Sequence, residues 1–175
     1  MKKKTEKLTL WFKEISKKDV SLVGGKNASL GEMFSRLNQQ GINVPNGFAL
    51  TTDFYWAFIK MNNLTPKLKN IFAGFNPKSI ANLQKTGKAA RTTISNAVIP
   101  ANLEKEIGKA YKLLCRKCGE NCKVAVRTSG VAEDSPTASF AGQFETFLNV
   151  KGEEKLLWAV KQSLISTFTD RAIAY

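Results

Sequence analysis

Two apolar, strand-like segments joined by a loop of small and acidic residues occupy Val124 to Val150, VAVRTSGVAEDSPTASFAGQFETFLNV. The first segment leads into Arg127. The following loop contains no His and no Cys, and it is rich in hydroxyl groups and small residues: Thr128, Ser129, Gly130, Ser135, Thr137, Ser139, Ala141 and Gly142. A fixed cation, hydroxyl groups and an accessible backbone are what a polyphosphate site requires. The pattern predicts nucleotide binding; the alternative is a structural Arg127 paired with Glu133 or Asp134.

A second candidate phosphate element lies about a hundred residues earlier, in VGGKNASLGEM, Val23 to Met33. We predict a short strand through Val20 to Val23 that enters the turn at Gly24 and Gly25. Lys26 would then stand at a helix N-terminus, where unpaired N–H groups favour anions. The spacing is not that of a P-loop, and a turn carrying a solvated lysine is the alternative. If the sheet brought Lys26 and Arg127 together, they would bracket a nucleotide's phosphates.

The charge of the chain is concentrated in its middle third. The 175 residues carry a net charge of +13, and residues 60–123, with 13 basic and 3 acidic side chains, account for +10 of it. A basic face attracts polyanions, although lysine-rich helices exposed to solvent explain the same numbers. Since no RNA- or DNA-binding signature accompanies this charge, nucleic acid is not an expected partner. No apolar run reaches membrane-span length and no signal peptide is recognisable, so the expected location is the cytoplasm.

Three cysteines, Cys115, Cys118 and Cys122, follow one another with C-x2-C-x3-C spacing. A structural zinc site needs four ligands, and the chain contains no histidine to supply the fourth. The pattern therefore favours reduced thiols at the end of a helix over zinc. A partial metal site shared with another chain is the remaining alternative.

The order of segments predicts an α+β fold in which helices pack on a small mixed sheet. Residues 1–9 are expected to form a basic tail, and residues 10–175 one domain. The C-terminal end at Tyr175 leaves apolar residues without cover, so we expect a piece of something larger. We predict four strands, at Leu10–Phe12, Gly47–Thr51, Lys123–Thr128 and Glu145–Val150. A helix is predicted from Asn27, with the apolar stripe Leu30, Met33, Phe34 and Leu37 and an end at Gly41. Further predicted helices are one capped by Thr52, several between Leu64 and Gly119 with interruptions near Pro66, Pro77 and Pro100, and a last one from Gly152.

Four segments carry a resemblance to a known family: GGKNASLGEM, VPNGFALTT, the Val124–Val150 stretch, and ISTFTDRAIAY. They resemble the N-terminal nucleotide-binding region of the phosphoenolpyruvate synthases (pyruvate, water dikinases), which is similar to pyruvate phosphate dikinase and rifampicin phosphotransferase. The resemblance runs from about Leu10 to Tyr175. It implies the first lobe of an ATP-grasp domain. It also implies ATP contacts from Lys26, Arg127, Gly142, Thr146 and Phe147.

In that family ATP donates its β-phosphoryl group to a histidine on a swivelling domain, and pyruvate then accepts it in a C-terminal barrel. The resemblance therefore implies, as partners, a second ATP-grasp lobe holding the Mg²⁺ ligands, a phosphohistidine domain and a pyruvate-binding domain. A chain without histidine cannot be the phosphoryl carrier, and alone it is expected to be inactive. The family commonly has VRSSATAED where this chain has VRTSGVAED, so Gly130-Val131 loosens the loop. The alternatives are a stand-alone module that binds a polyanion or partner, and the ATP lobe of a related phosphotransferase.

Overall fold

Helices alternate with short antiparallel strand pairs in the computed structural model, which describes residues 7–119, 122–131, 134–135, 138–139 and 144–174. The elements, in chain order, are β1 (Thr9–Trp11), α1 (Val20–Val23), α2 (Gly25–Leu37), β2 (Phe48–Leu50), α3 (Thr52–Met61), α4 (Leu64–Phe72), α5 (Ile80–Asn96), α6 (Ala101–Cys118), β3 (Val124–Arg127), β4 (Asp134–Ser135), β5 (Ala138–Ser139), β6 (Thr146–Val150), α7 (Glu153–Ser166) and α8 (Asp170–Ala174). The α+β class is confirmed. Within the described ranges, the strands form three separate antiparallel pairs, β1–β2, β3–β6 and β4–β5, instead of one mixed sheet.

The chain divides into two units, and the first comprises residues 1–57, 101–122 and 129–139. Its core contains side chains from β1, from the segment between β1 and α1, and from α1, α2 and β2: Leu10, Ile15, Val23, Ala28 and Ala49. In this unit β1 pairs with β2, and Thr9 lies opposite Leu50. Lys7 pairs with Glu14 at 2.6 Å, and the carbonyl of Leu8 accepts from the Thr51 amide. Residues 7–9, which the sequence assigned to a basic tail, therefore take part in the packing of the first unit.

Helix α2 is buried through its small residues. Ala28 and Gly31 are buried, whereas Met33, a member of the predicted apolar stripe, is 42% exposed. A Cβ on Gly31 would stand 2.6 Å from the Cβ of Ile15, so only glycine lets the chain approach this closely. The helix was predicted correctly, and its end is set by a 3-10 turn and by Gly41 in the left-handed conformation (φ 79°).

The second unit comprises residues 58–100, 123–128 and 140–175. Here α5 packs against α4, α7 and α8, and α7 covers the β3–β6 ribbon. Its most deeply buried large side chains are Phe58, Leu64 and Ile94. Arg91 of α5 holds the beginning of α8 by donating to the carbonyl of Phe168 at 2.8 Å and by pairing with Asp170 at 2.6 Å.

Three local predictions were wrong. Val20–Val23 is a helical turn and not a strand, because Asp19 accepts hydrogen bonds from Ser16 N and Oγ and sets up a helical start immediately before it. The cap of α3 is Thr51, whose Oγ1 accepts from the Phe54 amide at 3.3 Å, and not Thr52. Pro66 does not interrupt a helix, since it lies in the first turn of α4, where the absent N–H has no intrahelical role.

Within the described ranges, no helix has both the length and the apolar character needed to cross a bilayer.

Candidate functional site

In the first unit the glycine pair at the start of α2, Gly24 and Gly25, contacts the loop that follows β3. The amide of Asn27 donates to Oγ of Ser129 at 3.2 Å, and the amide of Gly25 donates to the carbonyl of Gly130 at 3.4 Å. Ser129 is 102 residues from Asn27, so a distant loop supplies the N-terminal cap of α2. The two segments singled out in the sequence as phosphate elements are therefore in contact at this point.

Gly24 permits this contact in two ways. Its backbone has φ 77° and ψ 162°, a region that essentially only glycine adopts. A Cβ at this position would stand 2.4 Å from both the carbonyl oxygen and Oγ of Ser129. Gly24 thus lets the Ser129 loop lie directly on the start of α2, and any side chain would push the loop away.

This contact corrects one expectation about the helix N-terminus. The sequence pattern predicted unpaired N–H groups available to an anion, yet the amides of Gly25 and Asn27 are already occupied by Gly130 and Ser129. The side chain of Asn27 turns back to the carbonyl of Val23 at 2.9 Å. Phosphate binding here would therefore rely on the side chain of Lys26, the half-buried second residue of α2, more than on these two amides.

In the second unit the β3–β6 ribbon brings together two of the predicted ATP contacts. Arg127, the last residue of β3, lies directly opposite Thr146, the first residue of β6, and both are exposed. Directly opposed residues of an antiparallel pair project from the same face. The guanidinium of Arg127 and the hydroxyl of Thr146 therefore offer donors on one open surface.

Phe147 and Thr128 face the helical side of the same ribbon. The ring of Phe147 packs edge-on against Trp158 of α7, with 5.2 Å between ring centroids. Oγ1 of Thr128 lies 3.3 Å from Oγ of Ser166 near the end of α7. These contacts hold the ribbon on α7, so both side chains position the strands that carry Arg127 and Thr146.

A bulge sets the register of the ribbon. Val124 pairs with Val150 and Val126 with Phe147, so two residues of β6 oppose one residue of β3. Asn149, in that interval, has φ 56°, the left-handed conformation that asparagine tolerates better than most residues. The bulge places Arg127 opposite Thr146.

The remaining predicted contact, Gly142, lies outside the described residues, as does Glu133; Asp134 is described only as part of β4. Sequence reasoning treated Ser129 and Thr128 as phosphate hydroxyls, whereas the structure uses both to hold the loop. It did not identify Asn27 or Ser166, because their partners are distant in the sequence and follow no local pattern. Asn27 and Ser166 became recognisable only through the fold.

Within the described ranges, no group of three or more His, Cys, Asp or Glu side chains is arranged so that it could hold a metal ion. The three cysteines are reduced. Burial raises the pKa of the Cys122 thiol to about 12, and hydrogen bonds with Cys115 and Cys118 contribute in the same direction.

The sequence is similar to one protein family and to several known enzymes. Residues 20–175 match the family described as pyruvate phosphate dikinase, AMP/ATP-binding domain. The chain is 46% identical over 173 residues to a phosphoenolpyruvate synthase of Synechocystis, covering 96% of this chain and 21% of that protein. It is 43% identical to the synthases of Aquifex aeolicus (98% of this chain, 20% of the relative) and Escherichia coli (96% and 21%). The chain thus spans about a fifth of the length of these relatives.

Proposed function

Because this chain belongs to the pyruvate phosphate dikinase AMP/ATP-binding domain family, we propose that it is the first lobe of an ATP-grasp domain and that it presents ATP for phosphoryl transfer. The relatives it matches are named phosphoenolpyruvate synthases. The overall reaction we propose is the synthesis of phosphoenolpyruvate that these names state. Pyruvate as the acceptor, ATP as the donor and the cytoplasm as the location belong to the same proposal and rest on the sequence resemblance.

The observation that carries the proposal is the pairing of Arg127 with Thr146 on the open face of the β3–β6 ribbon. A guanidinium binds phosphate oxygens through two parallel N–H donors, and its charge persists at every physiological pH. A neighbouring hydroxyl adds a donor that rotates to suit a phosphate oxygen. We assign both residues to ATP phosphate contacts, and we assign Phe147 to holding β6 in position.

Lys26 is proposed as a separate phosphate contact carried by the first unit. Its position in the first turn of α2 is maintained by the cap from Ser129 and by the close approach at Gly24. An ammonium acts on phosphate as a point charge and so tolerates some variation in geometry. Gly142 is proposed as a backbone contact to ATP, on the resemblance alone.

Catalysis in this proposal consists of positioning the phosphoryl group and neutralising its charge. The resemblance implies that a histidine accepts the phosphoryl group and passes it to pyruvate. Since this chain contains no histidine, we place that residue on another domain. The described residues do not fit a Mg²⁺ site; in our proposal the second ATP-grasp lobe provides those ligands. The second lobe, the phosphohistidine domain and the pyruvate-binding domain are the partners we propose.

A chimera with the Escherichia coli relative tests this function. The present chain replaces the segment of that protein which it matches, and formation of phosphoenolpyruvate from pyruvate and ATP is measured. We expect activity in the chimera, and a loss of about 100-fold when either Lys26 or Arg127 is changed to alanine, the size typical of removing a transition-state charge contact.

Arg36→Ala is the matched control, because Arg36 pairs with Glu32 on the exposed side of α2 and its removal should leave the rate unchanged. A folded chimera that binds no ATP would contradict the proposal. So would an active chimera that retains full activity after both substitutions.

A second candidate, a polyanion-binding module, is favoured by the +10 net charge of residues 60–123. It would place the function on lysine-bearing helices instead of on the β3–β6 ribbon. Competition between ATP and other polyanions for binding separates the two candidates.

A further inference from the structure

The turn between α7 and α8, residues 166–170, is held by a side chain of α5. Arg91 donates to the carbonyl of Phe168 at 2.8 Å and pairs with Asp170, the first residue of α8, at 2.6 Å. Gly87, one turn earlier on α5, makes room for this pair, since a Cβ there would stand 2.3 Å from Oδ1 of Asp170. Arg91 thus fixes the turn through a backbone acceptor and a side-chain acceptor at once.

The same turn begins with Ser166, which contacts the residue after β3. Ser166 is 3% exposed, and its hydroxyl donates to the carbonyl of Ser163 at 2.8 Å. A serine hydroxyl has one proton, so Oγ of Ser166 accepts in its 3.3 Å contact with Oγ1 of Thr128. The Thr128 hydroxyl also lies 3.5 Å from the Ser163 carbonyl oxygen. Its single proton therefore faces two acceptors, and both belong to α7.

Thr128 joins the end of β3 to this turn. In the register of the ribbon, Arg127 and Thr146 form the pair at the end of β3, and Thr128 follows outside the strand. The ends of elements open more easily than their middles, so the backbone position of Arg127 depends on what holds the next residue. The hydrogen bond from Thr128 to α7 supplies that hold.

We propose that Arg91 and Ser166 are positioning residues for ATP binding. They hold Thr128 and, through it, the guanidinium of Arg127 on the open face of the ribbon, and neither touches the nucleotide. The inference rests on the proposed function, in which Arg127 contacts the phosphates of ATP. A guanidinium binds phosphate best when its two parallel N–H donors meet the oxygens, and a displacement of about 1 Å can cost on the order of 100-fold in rate.

Thr128→Val tests the contact between Thr128 and Ser166. Valine lacks the hydroxyl but has a similar shape, and Ser166 keeps its bond to the Ser163 carbonyl. The variant therefore leaves no donor of this contact unpaired and should fold. Thr128→Ser keeps the hydroxyl and is the conservative variant. Both are made in the chimera, with and without Arg127→Ala, and kcat and KM for ATP are measured.

The effect of Thr128→Val should depend on Arg127. We expect Thr128→Val to lower kcat/KM for ATP about tenfold and Thr128→Ser to retain most of it, because a displaced guanidinium costs less than a missing one. When residue 127 is alanine, Thr128→Val should add less than about a twofold loss, because no guanidinium remains to be positioned. A role in stability alone would lower the melting temperature, but its effect on kcat/KM would not depend on Arg127.

Arg91→Ala extends the test to α5. It should lower kcat/KM for ATP by about threefold or more, and this loss should also be absent in combination with Arg127→Ala. Lys88→Ala is the control, since it removes a positive charge from the exposed side of the same helix and should leave the rate unchanged. If Arg91→Ala fails to fold, the two Thr128 variants decide.

The results separate this inference from the proposed function. If Arg127→Ala leaves the rate unchanged, both are overturned. If Arg127→Ala lowers the rate but Thr128→Val does not, or if their losses multiply in the double variant, only the positioning role is overturned. If Arg91→Ala leaves kcat/KM unchanged while Thr128→Val lowers it, the role assigned to Arg91 is overturned.

Discussion

At the scale of single residues, Gly24 and Ser129 determine how the two phosphate segments fit together. Neither stands out in its local sequence context: one is half of a glycine pair and the other is one of several hydroxyl residues in a loop. Their roles arise because the backbone at Gly24 lies so close to Ser129 that no side chain fits between them. A Cβ added to Gly24 would stand 2.4 Å from the Ser129 carbonyl oxygen. Substitutions at these two positions are therefore expected to change the stability of the fold directly and ATP binding only indirectly.

Gly24→Ala should lower the free energy of unfolding by about 3 kcal/mol, because a strained backbone conformation and a clash with backbone atoms act together. Urea denaturation measures the change. Gly41→Ala is the matched control: Gly41 has φ 79°, but nothing lies within 4 Å of its would-be Cβ. Conformational strain alone should cost the control about 1–2 kcal/mol. If both variants lost the same free energy of unfolding, the close approach of Gly24 to Ser129 would not contribute to stability.

Ser129→Ala removes the hydroxyl that caps α2 and leaves the Asn27 amide without its acceptor. We expect a loss of about 1 kcal/mol in the free energy of unfolding. Ser29→Ala, on the exposed side of the same helix, should change it by less than about 0.5 kcal/mol. If thermal denaturation does not distinguish the two variants, Ser129 is not the cap.

Cys122 should make stability fall at alkaline pH. Its pKa is near 9 in the unfolded chain and about 12 when folded, so the folded state holds the proton more tightly. The stabilising contribution is complete below pH 9 and is lost as the pH rises toward 12. Urea denaturation under reducing conditions should show that the stability of wild type, relative to Cys122→Ala, is constant up to about pH 9 and declines above it. A difference that stays constant with pH would contradict this assignment.

At the scale of elements, the β3–β6 ribbon carries the proposed phosphate contacts and the bulge sets its register. A shift of one residue would move every side chain of β6 to the opposite face. Thr146 would then leave the side of Arg127, and Phe147 would leave Trp158. The bulge at Asn149 thus connects a backbone conformation to the composition of the open face.

Asn149→Val should destabilise the chain by about 1–2 kcal/mol, since a β-branched residue disfavours the left-handed conformation. Asn149→Gly keeps that conformation accessible and should be close to neutral. Urea denaturation compares them, and ATP binding by the valine variant reports on the register. Equal stability of the two variants would mean that φ at position 149 is not under constraint.

How far the sequence predicts these elements depends on whether their determinants are local. Leu103, Ile107, Ala110, Tyr111 and Leu114 recur at helical spacing in the sequence and form the buried side of α6, because helical periodicity is a local property. The same rule failed for α2, where Gly31 and Ala28 face the core. It also failed for Val20–Val23, where a cap outweighed strand-like composition. At the site, Arg127 and Thr146 could be named from the resemblance, but the cap from Ser129 depends on tertiary contact.

At the scale of the whole molecule, the distribution of charge and the length of the chain relative to its relatives bear on the proposed function. The net charge of +13 is carried mostly by residues 60–123 and is nearly absent from residues 124–175, which include the ribbon. A general attraction for anions and a specific contact with ATP would therefore reside in different parts of the sequence. The relatives are about five times as long, so the complete reaction belongs to a larger assembly in our proposal.

Competition distinguishes specific from general anion binding. Labelled ATP is bound to the chimera in the presence of Mg²⁺. We expect an excess of heparin at physiological salt to leave it bound and unlabelled ATP to displace it. The reason is that salt weakens the binding energy of specific contacts less than it weakens a diffuse electrostatic attraction. Lys85→Ala, a basic position on the exposed side of α5, serves as the control and should not change ATP affinity. Displacement by heparin and ATP alike, with binding that falls steeply with salt, would support the polyanion module.

The cap on α2 also has a consequence for the order in which the protein is made. Ser129 leaves the ribosome about a hundred residues after Asn27, an interval of about 5–20 s at usual rates of synthesis. During that time the nascent helix lacks its distant acceptor and opens more easily at its first turn. The start of α2 should therefore become protected from solvent exchange late in translation, in step with the emergence of the loop after β3.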